Sequence, residues 1–287
     1  MFANGARSAR AEHAAELARV AESLGCESLW AVQHIVMPVT QVSRYPYSAA
    51  DTIPGGSAIA IPDPLIWLAW VGAQTTRIRL ATGVLLLAQQ HPLVVAKQVA
   101  TLDRLTGGRF ILGVGAGWLR EEYEALNADF ADRGARLDEA IQVLRLGWSP
   151  GPAEFRGRYL SFGPVHVEPK PVGRVPIVIG GHTPAAARRA GRLADGFFPL
   201  ACQGGKLSGL VSEMRFAAEA VGRDPTAVEI TASAPRSPDD AAVQAELGVA
   251  RVVTEVPDVD LAELEQAFAR RLATVRTRLA GRHAPGA

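Results

Sequence analysis

The sequence predicts an α/β fold: a (β/α)8 (TIM) barrel with loop insertions at its carboxyl-end face and a shortened N-terminal strand. Three observations carry this expectation. Short apolar runs ending in polar or glycine-rich residues recur at 28–32, 78–86, 109–114, 175–179, 196–200, 228–232 and 250–253. Segments with helical spacing separate them, giving about eight alternations if the N-terminal remnant counts as a strand. Two irregular stretches, 38–64 and 150–175, interrupt the pattern, and the first is long enough to be a lid or binding loop. An open, doubly wound sheet is the alternative. With 287 residues and 48% hydrophobic content the chain can bury one large core, and 1–287 reads as a single domain.

Taken in order, Met1–Asn4 is the remnant of a first strand, and a helix over 10–24 follows. Its buried stripe is Ala14, Leu17, Ala18, Ala21 and Leu24, and Gly25 closes it. The strand at 28–32 ends on Gln33 and His34. A helix beginning at Asp63 or Pro64 runs to about 73. The run from Ile78 to Leu86 starts alternating and then turns continuous, as in a strand buried on both faces, and Gly83 within it marks a bulge or a close approach. Pro92 opens a helix that Gly107 and Gly108 close, and the strand at 109–114 runs into Gly115-Ala116-Gly117. Helices follow at 119–126 and 133–148. The second irregular stretch has hairpin character at 159–162 and 165–167. The strand at 175–179 ends in Gly180-Gly181-His182-Thr183 ahead of a helix at 184–193. Helices at 207–221, 238–247 and 261–279 alternate with the last strands.

A net charge of +1, from 30 basic and 29 acidic residues, gives no electrostatic reason to expect nucleic acid or an acidic membrane as partner. No apolar run approaches the roughly 20 residues of a membrane span, and the first residues lack the apolar region of a signal peptide. Cys26 and Cys202 are too few for a disulfide framework or a cysteine metal site, which suits a reducing cytoplasm. His34, His91, His166 and His182 have no metal-ligand spacing, so no metal is expected. Neither G-x-S-x-G nor H-E-x-x-H occurs.

Parallel strands joined by helices place their ligands at the carboxyl ends of the strands. His34 lies at such an end, where its imidazole could exchange a proton near neutral pH; an ordinary hydrogen-bonded loop histidine is the equal alternative. Gly180, Gly181 and Thr183 before a helix opening at Pro184 suit a phosphate, or form an ordinary tight turn. Trp118 stands where G-x-G-x-x-G would need its last glycine, so the dinucleotide reading fails. His91, with Gln89 and Gln90, lines the pocket or belongs to solvated loop. Glu121 and Glu122 read most simply as first-turn acids that stabilise a helix dipole. Trp30, Trp67, Trp70 and Trp118 suggest an apolar rim and hence an apolar or aromatic substrate.

Three segments, LARVAESLGCESLWAVQHIVMP, IPDPLIWLAWVGAQTTRIRLATGVLLLAQQHPLVVAKQVATLDRLTGGRFILGVGAGWLREEY and VPIVIGGHTPAAARRAGRLADGFFPL, together resemble the bacterial luciferase-like monooxygenase superfamily, in particular its actinobacterial branch of F420-dependent oxidoreductases. The resemblance implies a (β/α)8 barrel holding FMN or the deazaflavin F420 at its carboxyl-end face. It implies His34 beside the reactive ring in proton transfer, and Gln33 next to it as a cofactor-binding residue. Thr82, Gly83 and Val84 match the strand bulge, often with a cis non-proline peptide, that backs the ring. Gly115, Ala116 and Gly117 match the cofactor-lining turn, and Gly180, Gly181, His182 and Thr183 the phosphate-side loop. Relatives commonly carry an acid where this chain has Gln33. Trp118 replaces the catalytic glutamate of the sugar-phosphate dehydrogenases, which argues against that substrate. Relatives also have several residues before the position of Met1. The function implied is hydride transfer between F420 and a small organic substrate. The alternatives are an FMN-dependent monooxygenase using reduced flavin and oxygen, and a non-catalytic flavin or F420 binder. A homodimer is implied as well.

Overall fold

The computed structural model describes residues 5–47, 51, 53 and 55–281. The helices are α1 (Ala11–Ser23), α2 (Pro64–Gly72), α3 (Pro92–Leu105), α4 (Arg120–Ala125), α5 (Arg133–Trp148), α6 (Pro184–Leu193), α7 (Gly204–Glu219), α8 (Pro238–Glu246) and α9 (Leu261–Ala280). The strands are β1 (Ser28–Ala31), β2 (Arg79–Thr82), β3 (Leu85–Leu86), β4 (Phe110–Gly115), β5 (Ala153–Arg156), β6 (Ser161–Val165), β7 (Ile177–Gly180), β8 (Gly196–Phe198), β9 (Glu229–Ser233) and β10 (Val249–Val253). One curled parallel sheet runs β1-β2-β4-β7-β8-β9-β10, with β3 continuing past the end of β2 to pair with β4. Because every pairing in it is parallel, all carboxyl ends lie on one rim. This is the α/β barrel read from the sequence.

The strands are apolar on both faces, as strands enclosed between helices and a barrel interior must be. Side chains alternate along each of them. Trp30, Ala81, Ile111, Val178, Phe198 and Val253 point into the barrel and pack on one another, whereas Leu29, Leu80, Phe110, Leu112, Ile177, Ile179 and Phe197 face the helices. Trp30 fills most of the interior, edge-on to Phe198 at 5.3 Å, and its indole N–H donates to Ser28 Oγ at 2.8 Å. Trp67 and Trp70 lie on α2 and donate to the carbonyls of Ser8 and Ala11. Of the four tryptophans expected at the rim, only Trp118 stands there. Indoles of the other three have found packing and a single acceptor elsewhere.

Three further differences from the sequence reading have local causes. The apolar run 78–86 is two strands, broken at Gly83, and the Gly83–Val84 peptide is cis. The hairpin of the second irregular stretch pairs Ala153–Arg156 with Ser161–Val165, one strand earlier than expected. Of its side chains only Ala153 is buried, so no apolar alternation announced it. The expected first strand, Met1–Asn4, lies outside the described residues. Among the described residues β10 and β1 share no ladder, and this seam is bridged by side chains. Arg251 of β10, only 9% exposed, donates to Glu27 at 2.7 Å, pairs with Glu229, and stands over the Trp30 ring at 5.8 Å. Burial opposes the Glu27 charge, but the Arg251 guanidinium outweighs it and holds the carboxyl below its ordinary range. Helices α1 and α9 pack together outside the seam. No helix among the described residues is long and apolar enough to cross a membrane.

Candidate active site

His34 emerges three residues beyond β1, at the carboxyl-end rim, with 12% of its side chain exposed. Its Nδ1 lies 3.0 Å from Glu122 Oε2, and the other oxygen of Glu122 accepts the Ile35 amide at 2.6 Å and the Val36 amide at 3.4 Å. Glu122 is 1% exposed. A carboxylate on Nδ1 favours the proton there, leaving Nε2 as the nitrogen available for exchange. Gln33 plays a different part. Its Oε1 accepts the Leu86 amide at 2.8 Å and the Gln90 side chain at 3.1 Å, so it holds the backbone beyond Gly83.

The acids at the start of α4 are therefore more than first-turn charges. Glu121 reaches back to the same loop, where its Oε1 accepts the amides of Val42 at 2.5 Å and Ser43 at 2.8 Å. Burial works against its charge, yet the Ser43 hydroxyl and amide and the Val42 amide outweigh that and bring the carboxyl down to about 2. Two successive glutamates thus fasten the segment after β1 to the helix after β4.

Val84 sits at the centre of the rim. A methyl group added to Gly115 would stand 2.7 Å from Val84 Cγ2, and one added to Gly180 would collide with Val84 Cγ1. The glycines at the ends of β4 and β7 are open because Val84 projects between them, which brings the 82–84, 115–117 and 180–183 segments together. Two of the candidate side chains are already engaged. Thr82 is fully buried and donates its hydroxyl to the Gly113 carbonyl at 2.6 Å, and Thr183 caps α6 by accepting the Ala186 amide at 3.3 Å. Ala116 and Gly117 form a turn pinned through their carbonyls, Ala116 by the Tyr123 hydroxyl and Gly117 by Arg133 at 3.3 Å. His91 stands apart from the cluster: it is exposed, and its Nδ1 caps α3 by accepting the Leu93 amide at 3.3 Å.

At the opposite end of the rim, His182 Nδ1 is buried without a hydrogen-bond partner. Burial lowers its pKa, and the nearby Lys206 cation lowers it further. Lys206 itself is exposed, with no ion pair among the described residues. An orphaned imidazole nitrogen, an amine and the N-terminus of the ten-residue α6 fit an anionic group such as a phosphate.

Between the two ends runs a line of rings. His34 meets Trp118 at 6.0 Å, Trp118 meets Tyr45 at 5.4 Å, Tyr45 meets Tyr47 at 5.4 Å, and Tyr47 meets His182 at 5.0 Å, all edge-to-face. Sequence reasoning saw the long loop but neither tyrosine; their spacing of two, between turn-forming residues, was the available signal.

Comparison with known proteins identifies the family. Residues 2–286 match the model of the luciferase-like monooxygenase family. An uncharacterised protein of Mycobacterium tuberculosis is 32% identical over 261 residues, 90% of this chain and 92% of its own. The F420-dependent glucose-6-phosphate dehydrogenase of Kineococcus radiotolerans is 33% identical over 240 residues, 80% of this chain and 65% of its own. Among solved structures, a monooxygenase from Streptomyces bottropensis superposes with a TM-score of 0.74 at 23% identity, covering 96% of this chain and 98% of that one. An F420-dependent secondary alcohol dehydrogenase does so with a TM-score of 0.68 at 22% identity, covering 96% and 82%.

Proposed function

The chain belongs to the luciferase-like monooxygenase family and is an oxidoreductase, and on that premise we propose that it moves a hydride between the deazaflavin F420 and a small organic substrate. The observation that carries the reading is the His34–Glu122 pair at the rim, beside the convergence of Val84, Gly115 and Gly180. When bound, the deazaflavin supplies the hydride acceptor or donor. The chain's own residues do the rest. Val84 and the backbone at Gly83 would back the ring, and Gly115 to Gly117 would line its edge. His182, with Lys206 and the start of α6, would receive the charged tail. His34 would give or take the proton at Nε2, while Glu122 fixes the imidazole and the loop that carries it. F420 is preferred to flavin because relatives that are 33% and 36% identical are F420-dependent.

One titration tests this. Purified protein is mixed with F420 and, separately, with FMN, and binding is followed by fluorescence quenching. Tight F420 binding supports the reading. Preference for FMN would replace it with a reduced-flavin monooxygenase. F420 binding without turnover across a broad substrate panel would make the protein a non-catalytic binder.

A further inference from the structure

The two ends of the rim differ in chemistry. At the His182 end stands an unpaired cation, Lys206. At the other end the surface is built from Trp118 and Tyr45, drawn from separate connections, with His34 edge-to-face against the Trp118 ring at 6.0 Å. Burial raises the Tyr45 phenol and takes that of Tyr47 to about 12, so both are uncharged rings at neutral pH.

Two carboxylates stand behind this wall. Glu121 and Glu122 are both spent on backbone amides of the 35–43 segment, and neither pairs with an arginine or lysine among the described residues. The arginines nearest in sequence are engaged elsewhere. Arg120 and Arg133 lie over the Phe130 ring at 4.5 and 3.7 Å, Arg133 also donates to the Gly117 carbonyl at 3.3 Å, and Arg44 pairs with Asp51 at 3.6 Å. A compound arriving at Trp118 meets aromatic edges, a histidine and two carboxylates, and among the described residues the arginines nearest in sequence are already engaged.

We propose that the Trp118 end is the substrate subsite, and that it takes a planar aromatic compound without an anionic group, packed on Trp118 and Tyr45 with its reacting atom toward His34 Nε2. The proposal rests on the oxidoreductase reading of the same rim and adds the class of substrate. Tyr45 is a specificity-determining residue, and Glu121 sets its place by holding Val42 and Ser43. An anion of the same shape is disfavoured twice, by repulsion from the carboxylates and by loss of hydration against uncharged rings. An aromatic ring instead gains edge-to-face contacts that an aliphatic compound of equal size lacks.

A matched pair of probes isolates the charge. Binding of 2-naphthol and of 2-naphthoate is measured by calorimetry on the F420-loaded protein and on the protein alone, with glucose 6-phosphate as a third probe. The expected result is 2-naphthol binding at least tenfold tighter than 2-naphthoate, with glucose 6-phosphate weaker still. Trp118→Leu and Tyr45→Leu should each weaken 2-naphthol about tenfold while leaving F420 affinity unchanged. If Trp118→Leu fails to fold, Tyr45→Leu, on a surface loop, still gives the reading. Equal or tighter binding of 2-naphthoate or glucose 6-phosphate overturns the proposal, as does 2-naphthol affinity insensitive to both substitutions. The two failures are distinguishable. Absence of F420 and FMN binding to the unaltered protein sinks the oxidoreductase reading, whereas F420 binding without a naphthol preference sinks the subsite alone.

Discussion

At the scale of single residues, the proposed chemistry of the rim would depend on one imidazole and one carboxylate that meet across 88 positions of sequence. His34→Ala should leave F420 affinity within a few-fold of the unaltered protein and reduce kcat by roughly two to four orders of magnitude, the usual range for a lost general acid or base. Steady-state kinetics with a binding titration check it, and unchanged kcat removes His34 from the mechanism. Glu122→Gln should reduce kcat about 10- to 100-fold and displace the pH profile, because an amide cannot accept from the imidazole and from two backbone N–H groups together; it should also cost about 1–3 kcal/mol of stability, since a buried donor loses its acceptor. Nitrogen chemical shifts of the His34 ring separate the two effects, for a purely structural role would leave its tautomer unchanged. The histidine was legible in the sequence because it follows a buried strand. Its partner was not, because Glu122 opens a helix, where an acid already has a sufficient local reason to be. The neighbouring Gln33, an amide, serves Leu86 and leaves the imidazole to a distant carboxylate.

At the scale of elements, the rim is assembled by close approach of three strand ends around the Val84 side chain. Gly180→Ala and Gly115→Ala should each destabilise the protein by about 1–3 kcal/mol through overpacking, and each should weaken F420 binding. Adding Val84→Ala to either should recover most of the stability but not the binding. A double-mutant cycle on denaturant midpoints reads the coupling, and additivity would show that the side chains do not meet. The glycines were visible as pattern breaks, but that one valine explains two of them could only be seen in three dimensions.

A second element-scale prediction concerns acid. Glu22, at the end of α1, accepts the amides of Thr76, Arg77 and Ile78 just before β2. Burial opposes its charge, but these bonds outweigh that and bring its carboxyl to about 2 from an ordinary value near 4.5. A depressed folded-state value means stability that is present above about 4.5 and is lost as pH falls toward about 2, and Glu121 acts in the same window. Glu22→Gln should therefore lower the denaturation midpoint at pH 6 and narrow the gap to the unaltered protein at pH 3. A gap that stays constant across that range would contradict it.

At the scale of the whole molecule, the alternation of strands and helices was legible almost throughout. Most boundaries fall within two residues, because apolar runs buried on both faces admit few other readings. The exceptions lie where tertiary context decides: the exposed β5–β6 hairpin, whose short strands bury little, and the break at Gly83. The arginine that bridges β10 to β1 was not legible, since Arg251 in sequence is one basic residue in an otherwise apolar strand. Arg251→Met should destabilise the fold by about 1–3 kcal/mol, the lower part of the range for breaking a buried pair, because both carboxylate partners are half exposed. Thermal unfolding measures it, and no change would mean the strands close without help.

Among the described residues the ring of strands is joined at one station by guanidinium and carboxylate, and that station is the one most sensitive to dissolved electrolyte. Screening at high ionic strength reaches the exposed glutamates and leaves every backbone ladder intact. Sodium chloride should thus loosen this molecule locally, beside Trp30, long before it affects the remainder of the barrel.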